Sequence, residues 1–197
     1  MTTTNHELVG RAVTELVRGL EPIIAETLRP HLLPGMSWTA LLQRRDEAAG
    51  RAGGVYSETD PQVILRTLTE GLGALGRPFE ATLGRSGARL AGELREVRNG
   101  WAHNAVFDDD DTYRAIDSAQ RLSSICGATE TADVLATQRR ELQARMAPTP
   151  QAEMPSAAGN ATEPSPALAF SQPPQTPPRT PTAVPPMPLV TSTDREA

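Results

Sequence analysis

Arg98, Asn99 and His103 stand together in "ELREVRNGWAHN", Glu93 to Asn104, and their side chains suit metal-free phosphate chemistry. An imidazole can take the proton of a ribose 2′-hydroxyl or return one to the leaving oxygen. A guanidinium can hold the phosphate and stabilise the charge that develops on it. Asn99 can donate a further hydrogen bond, and Glu93 or Glu96 can orient the Arg. Spacing by itself favours coincidence. An Arg and a His five positions apart recur in many helices, and the dipole favours a His at a helix C-terminus whatever its role.

The element that must position these residues is a helix. Its apolar seam is Leu90, Leu94, Val97 and Trp101, which makes Trp101 a core residue rather than a base-stacking platform. At ~100° per residue, positions five apart on a continuous helix differ by about 140°, so Arg98 and His103 do not share a face. They converge only if the helix ends between them, for which Gly100 is the natural point, or if a second subunit supplies the same pair.

Helical spacing dominates the rest of the foldable region. "TNHE" (Thr4 to Glu7) has the form of a capping box, followed by apolar residues at Leu8, Val9, Ala12, Val13, Leu16, Val17 and Leu20. Pro22 either kinks this helix or starts another. Ser37 caps a short helix that stops at Gly50, Asp60 followed by Pro61 opens a third, and Ser86 opens the one bearing Arg98. Asp108 to Asp111 crowd the start of the next helix; four adjacent carboxylates there read as caps and dipole partners rather than a cation site. A final helix covers about 131–146. The glycine-rich "GRAGGVYSET" lacks the Gly-Lys-Ser/Thr ending of a phosphate loop, and no strand pattern precedes it.

Composition narrows the function classes. Of 18 prolines, 13 lie from Pro148 onward, in a stretch whose only aromatic is Phe170, so that stretch cannot build a core. The formal net charge of the whole chain is −5, which excludes a bulk basic surface for nonspecific duplex binding. Every basic residue is Arg, so any positive site is made of planar guanidiniums that can fork onto phosphate oxygens. A single cysteine, Cys126, allows no intramolecular disulfide and no cysteine-based zinc site, and reads as a small core residue. No apolar run is long enough for a membrane span, and the N-terminus lacks the pattern of a signal peptide. His6 and His31 have no partners in sequence and read as incidental. Arg114 and Arg121 lie on one helix face, as surface residues or as a widening of a positive cleft.

The segment "GELREVRNGWAH" (Gly92 to His103) is followed by Phe107, Asp110, Asp111, Tyr113, Arg114, Ala115, Asp117, Ala119, Arg121 and Leu122. Together these resemble the Swt-type branch of the HEPN superfamily. "LVGRAVTELVRGLEPII" is similar to the opening helix of that branch. The resemblance covers most of the region from Leu8 to Leu142 and is most specific from Glu93 to Leu122. It implies a compact α-helical bundle and, for many members, metal-independent endoribonuclease activity with an Arg-(four to six residues)-His motif. Arg98, Asn99 and His103 match with four residues between the Arg and the His. It also implies a dimer in which two copies of the motif face one cleft, often in RNA-surveillance, phage-defence or toxin systems. Some members keep the fold only as a binding or assembly module.

The resulting expectation is an all-α, HEPN-type bundle of five or six helices over 4–146, with a disordered Pro-rich tail over 147–197. Arg98, Asn99 and His103 are the expected catalytic residues, and Glu93, Glu96, Arg95 and Arg114 bind or orient the substrate. No metal and no cofactor are expected. The expected partners are RNA, a second copy of the chain, and a protein recruited through "SQPPQTPPRTPTAVPPMPLV", which otherwise serves as a spacer. The expected location is cytoplasmic. The alternative function is a noncatalytic interaction or RNA-binding module, and a third is the antitoxin or regulatory partner of a conflict system.

Overall fold

Thr4 starts the first helix by the reciprocal bonds its sequence suggests. Its hydroxyl accepts from the Glu7 backbone N–H, and the Glu7 carboxylate accepts from the Thr4 backbone. The computed structural model describes residues 3–51, 54 and 56–147. Its helices are α1 (Asn5–Leu28), α2 (Thr39–Ala48), α3 (Pro61–Thr69), α4 (Glu80–Ala102), α5 (Asp109–Cys126) and α6 (Thr129–Met146), with 3₁₀ turns at Arg29–His31 and Gly73–Leu75. Among the described residues there is no strand, and the fold is all-α. The Pro-rich tail lies outside the described residues, save Ala147.

Pro22 neither splits nor ends α1, which runs through it. Pro22 is exposed, and the flanking Leu20, Ile24 and Leu28 are fully buried, so packing on one face holds the helix across the missing N–H bond. Asp60 caps α3 through a 2.8 Å bond from the Gln62 N–H, with Pro61 in the first helical position. Asp108 caps α5 by accepting from the Asp111 N–H at 2.7 Å.

α4 begins at Glu80, six residues before the expected start at Ser86, and its backbone breaks at Gly84 (φ 55°, ψ −165°). The long straight segment that bears Arg98 begins after that break. α5 packs against α1, α4 and α6, and α3 packs against α1 and α4. The main core gathers Leu16, Leu20, Ile24, Leu90, Leu94, Ile116 and Leu122. A second, smaller cluster of Val9, Val13 and Ala115, with Val97, Trp101 and Phe107 against it, lies under the last turns of α4. It sets the depth and direction of the segment that carries the candidate residues.

Candidate functional site

α4 does not end at Gly100. It continues to Ala102, and His103 is its C-cap, with its backbone N–H bonded to Asn99 O at 3.1 Å. The turn closes as a Schellman motif: Asn104 N–H reaches Trp101 O at 3.1 Å and Ala105 N–H reaches Gly100 O at 2.9 Å. Asn104 takes the left-handed position (φ 55°) that glycine usually fills. Gly100 instead lies inside the last turn of α4, where a Cβ would make only ordinary contact, at 3.4 Å, with the Phe107 ring. The helix is therefore unbroken between Arg98 and His103, and about 140° of rotation separates them.

That rotation places the two side chains in different surroundings. Arg98 lies beside the buried seam and faces α3, half-buried. Its Nη2 donates to Asp60 Oδ1 at 3.1 Å, while its Nε is buried and has no hydrogen-bond partner. His103 is exposed, and its imidazole makes no hydrogen bond to a described residue. Asn99 is half-buried and its side chain is likewise unbonded among the described residues. Chemically, the end of α4 offers a guanidinium with spare donors and an imidazole open to solvent, both able to meet a phosphodiester but not from one side.

The four residues expected to bind or orient take other places. Glu93 lies 3.8 Å from Arg89, and Glu96 is exposed. The carboxylate on Arg98 is Asp60, from the start of α3. Arg95 Nη1 is 3.5 Å from Glu70 at the end of α3, and Arg114 is exposed on α5 with no ion pair among the described residues. Arg121 pairs with Asp117 on its own helix at 3.7 Å. Asp109 bonds Asn5 and Arg145; the Asn5 amide and then the Arg145 charge hold its carboxyl below the usual range. Cys126 is half-buried against the edge of the main core, and burial pushes its thiol up to about 11.

Sequence reasoning missed two neighbours of the site. Asp60 is readable as a cap, but nothing marks its second role 38 residues away from Arg98. His6 is not incidental. Its ring stacks on Trp101 at 6.0 Å and its Nε2 donates to Trp101 O at 3.1 Å, bracing the last turn of α4 from α1. Gly10 makes space for that indole, because a Cβ there would fall 2.8 Å from Trp101 Nε1.

A separate ionic cluster links α2, α3 and α4. Asp46, only 1% exposed, accepts from Arg66 Nη2 with both carboxylate oxygens, Oδ1 at 2.9 Å and Oδ2 at 2.8 Å, and from the Tyr56 hydroxyl with Oδ2 at 2.5 Å. Arg66 also bonds Glu70 through Nε at 3.1 Å and Nη2 at 3.0 Å, and lies over the Tyr56 ring. Burial pushes the Asp46 carboxyl up, but the Tyr56 hydroxyl and the Arg66 and Arg45 guanidiniums outweigh it and hold Asp46 below its ordinary range. Glu70 is held low in the same way, its burial outweighed by Arg66, Arg45 and Arg95. The same bonds, those from Glu70 first, raise Arg66 above its ordinary value.

Among the described residues no helix is long and apolar enough to cross a membrane. No curated protein and no solved structure matches the chain. A family model described as Swt1-like HEPN matches residues 11–127, more than half of the chain and the whole of α2 to α5. That span contains Arg98, Asn99, His103 and Asp60, and with the six-helix architecture it leads to one assignment: the chain belongs to the Swt1-like HEPN family.

Proposed function

We propose that this domain is a metal-independent endoribonuclease in which two copies bring Arg98 and His103 to one phosphodiester. One observation carries the reading: the end of α4 exposes an imidazole that packing does not use, one and a half turns from a guanidinium whose bonding capacity is only partly filled. His103 removes the proton of the 2′-hydroxyl, and the 2′ oxygen attacks its own phosphorus. The bond from phosphorus to the 5′ oxygen breaks, that oxygen takes a proton from water, and His103 releases to solvent the proton it gained. Arg98 holds the non-bridging oxygens as their charge grows, and Asn99 adds a donor. The products carry a 2′,3′-cyclic phosphate and a 5′-hydroxyl. Because one unbroken helix cannot aim both residues at one phosphate, the second copy is part of the site in this reading.

The alternative is a noncatalytic RNA-binding or assembly module, favoured by the fact that Arg98 already has a carboxylate partner. The two are separated by incubating single-stranded RNA with the protein in EDTA and analysing the product ends. Cyclic phosphate ends with the unsubstituted protein, absent with His103→Ala and Arg98→Ala, support the nuclease. Binding without cleavage supports the module.

A further inference from the structure

Asp60 is the carboxylate paired with the candidate guanidinium, and its geometry differs from that of an ordinary surface partner. Its Oδ1 accepts two bonds at once, from the Gln62 backbone at 2.8 Å and from Arg98 Nη2 at 3.1 Å. The first bond anchors the carboxylate to the start of α3, where Pro61 fixes the backbone that follows. The second therefore ties Arg98 to a rigid point rather than to a swinging side chain. A single, half-exposed contact of this kind stabilises a fold very little, and the buried, unpaired Nε–H beside it is a cost. Stability does not account for the arrangement.

Orientation does. With Nη2 held on one hydrogen and Nε buried, the donors left without a partner among the described residues are the Nη1 pair and the second hydrogen of Nη2. Nη1 and Nη2 are the two ends of a guanidinium that can fork onto two phosphate oxygens. We propose that Asp60 is a positioning residue that holds the Arg98 guanidinium with this fork presented to the scissile phosphate. The inference rests on the nuclease reading and names the residue that organises its phosphate clamp. Asp60 touches neither substrate nor reacting atoms and acts only through Arg98.

The test uses variants that keep the helix cap. Serine caps as well as aspartate but is too short to reach Arg98, and asparagine caps while keeping an uncharged acceptor. Asp60→Ser in the full chain is expected to lower kcat on single-stranded RNA in EDTA by about 10- to 100-fold. KM should stay within about threefold, because the clamp acts mainly on the transition state. Asp60→Asn should fall between Asp60→Ser and the unsubstituted protein, with thermal midpoints unchanged in both. In an Arg98→Lys background, where the fork is gone but a charge remains, Asp60→Ser should cause no further loss. Unchanged cleavage by Asp60→Ser overturns the role of Asp60 while leaving the nuclease reading intact. An equal loss in the Arg98→Lys background, or a loss that tracks the thermal midpoint, also overturns it. No cleavage by the unsubstituted protein in EDTA overturns the nuclease reading itself, and this role with it.

Discussion

Arg66 and Arg98 both bind carboxylates beside α3, and they do so in opposite ways. Arg66 spends its donors on Asp46, Glu70 and Tyr56 through all three of its nitrogens, and its side chain is 13% exposed. Arg98 makes one bond, to Asp60, buries Nε without a partner, and is twice as exposed at 26%. A saturated guanidinium joins helices; in the proposed nuclease, the guanidinium with unfilled donors is the one that takes the phosphate. Charge alone does not separate the two roles, because both lie within hydrogen-bond reach of acids. The count of filled donors does.

The comparison breaks most visibly on removing each arginine. Arg66→Ala leaves Asp46 buried without its main counter-charge and should cost about 3–5 kcal/mol, read as a lowered urea midpoint. Arg98→Ala should cost under about 1 kcal/mol, as befits a half-exposed pair. Its effect falls instead on cleavage, which should drop about 10²- to 10³-fold on losing a charge-stabilising donor. Equal stability losses from the two substitutions would erase the distinction.

Acid sharpens the contrast further. Asp46 and Glu70 are held below their ordinary values in the folded chain, so each binds its proton more weakly when folded than when unfolded. The stability they contribute is fully present above the unfolded value of about 4 and is lost as pH falls through the lower folded values. The unsubstituted protein should lose urea resistance as pH falls below about 4, and Arg66→Ala should show a flatter acid limb.

A smaller effect is expected at the cap that aims His103. Asn104→Ala places a Cβ-bearing residue without a local polar side chain at φ 55° and should cost about 1 kcal/mol. Asn104→Gly should be neutral or slightly stabilising, measured by thermal unfolding.

The local signals in the sequence were informative where a bond closes within one turn. The Thr4–Glu7 box, the Asp60–Pro61 start and the Asp108 cap all form as their spacing suggests. The seam through Leu90 and Leu94 is buried, while Val97 and Trp101 belong to a second cluster under α1 and α5. Legibility failed where a distant neighbour decides. At Pro22 the sequence left a continued helix and a new one both open, and buried leucine and isoleucine on either side decide for the continued one. α4 passes Gly100 because Asn104, not Gly100, takes the left-handed position of the turn that ends it. The partners of Arg98, Arg66 and His6 lie 38, 20 and 95 residues away, and nothing in the spacing of charges tells such a pair from two surface residues.

The central claim is that Arg98 and His103, separated around one helix, act together from two copies of the chain. It is tested by mixing Arg98→Ala with His103→Ala and following single-stranded RNA in EDTA. Each variant alone should cleave at least about 100-fold more slowly than the unsubstituted protein. A mixed dimer holds one intact pair, Arg98 from one copy and His103 from the other, so random pairing should restore roughly a quarter of full activity. A mixture that cleaves no faster than either variant alone, or single variants that cleave like the unsubstituted protein, would contradict it.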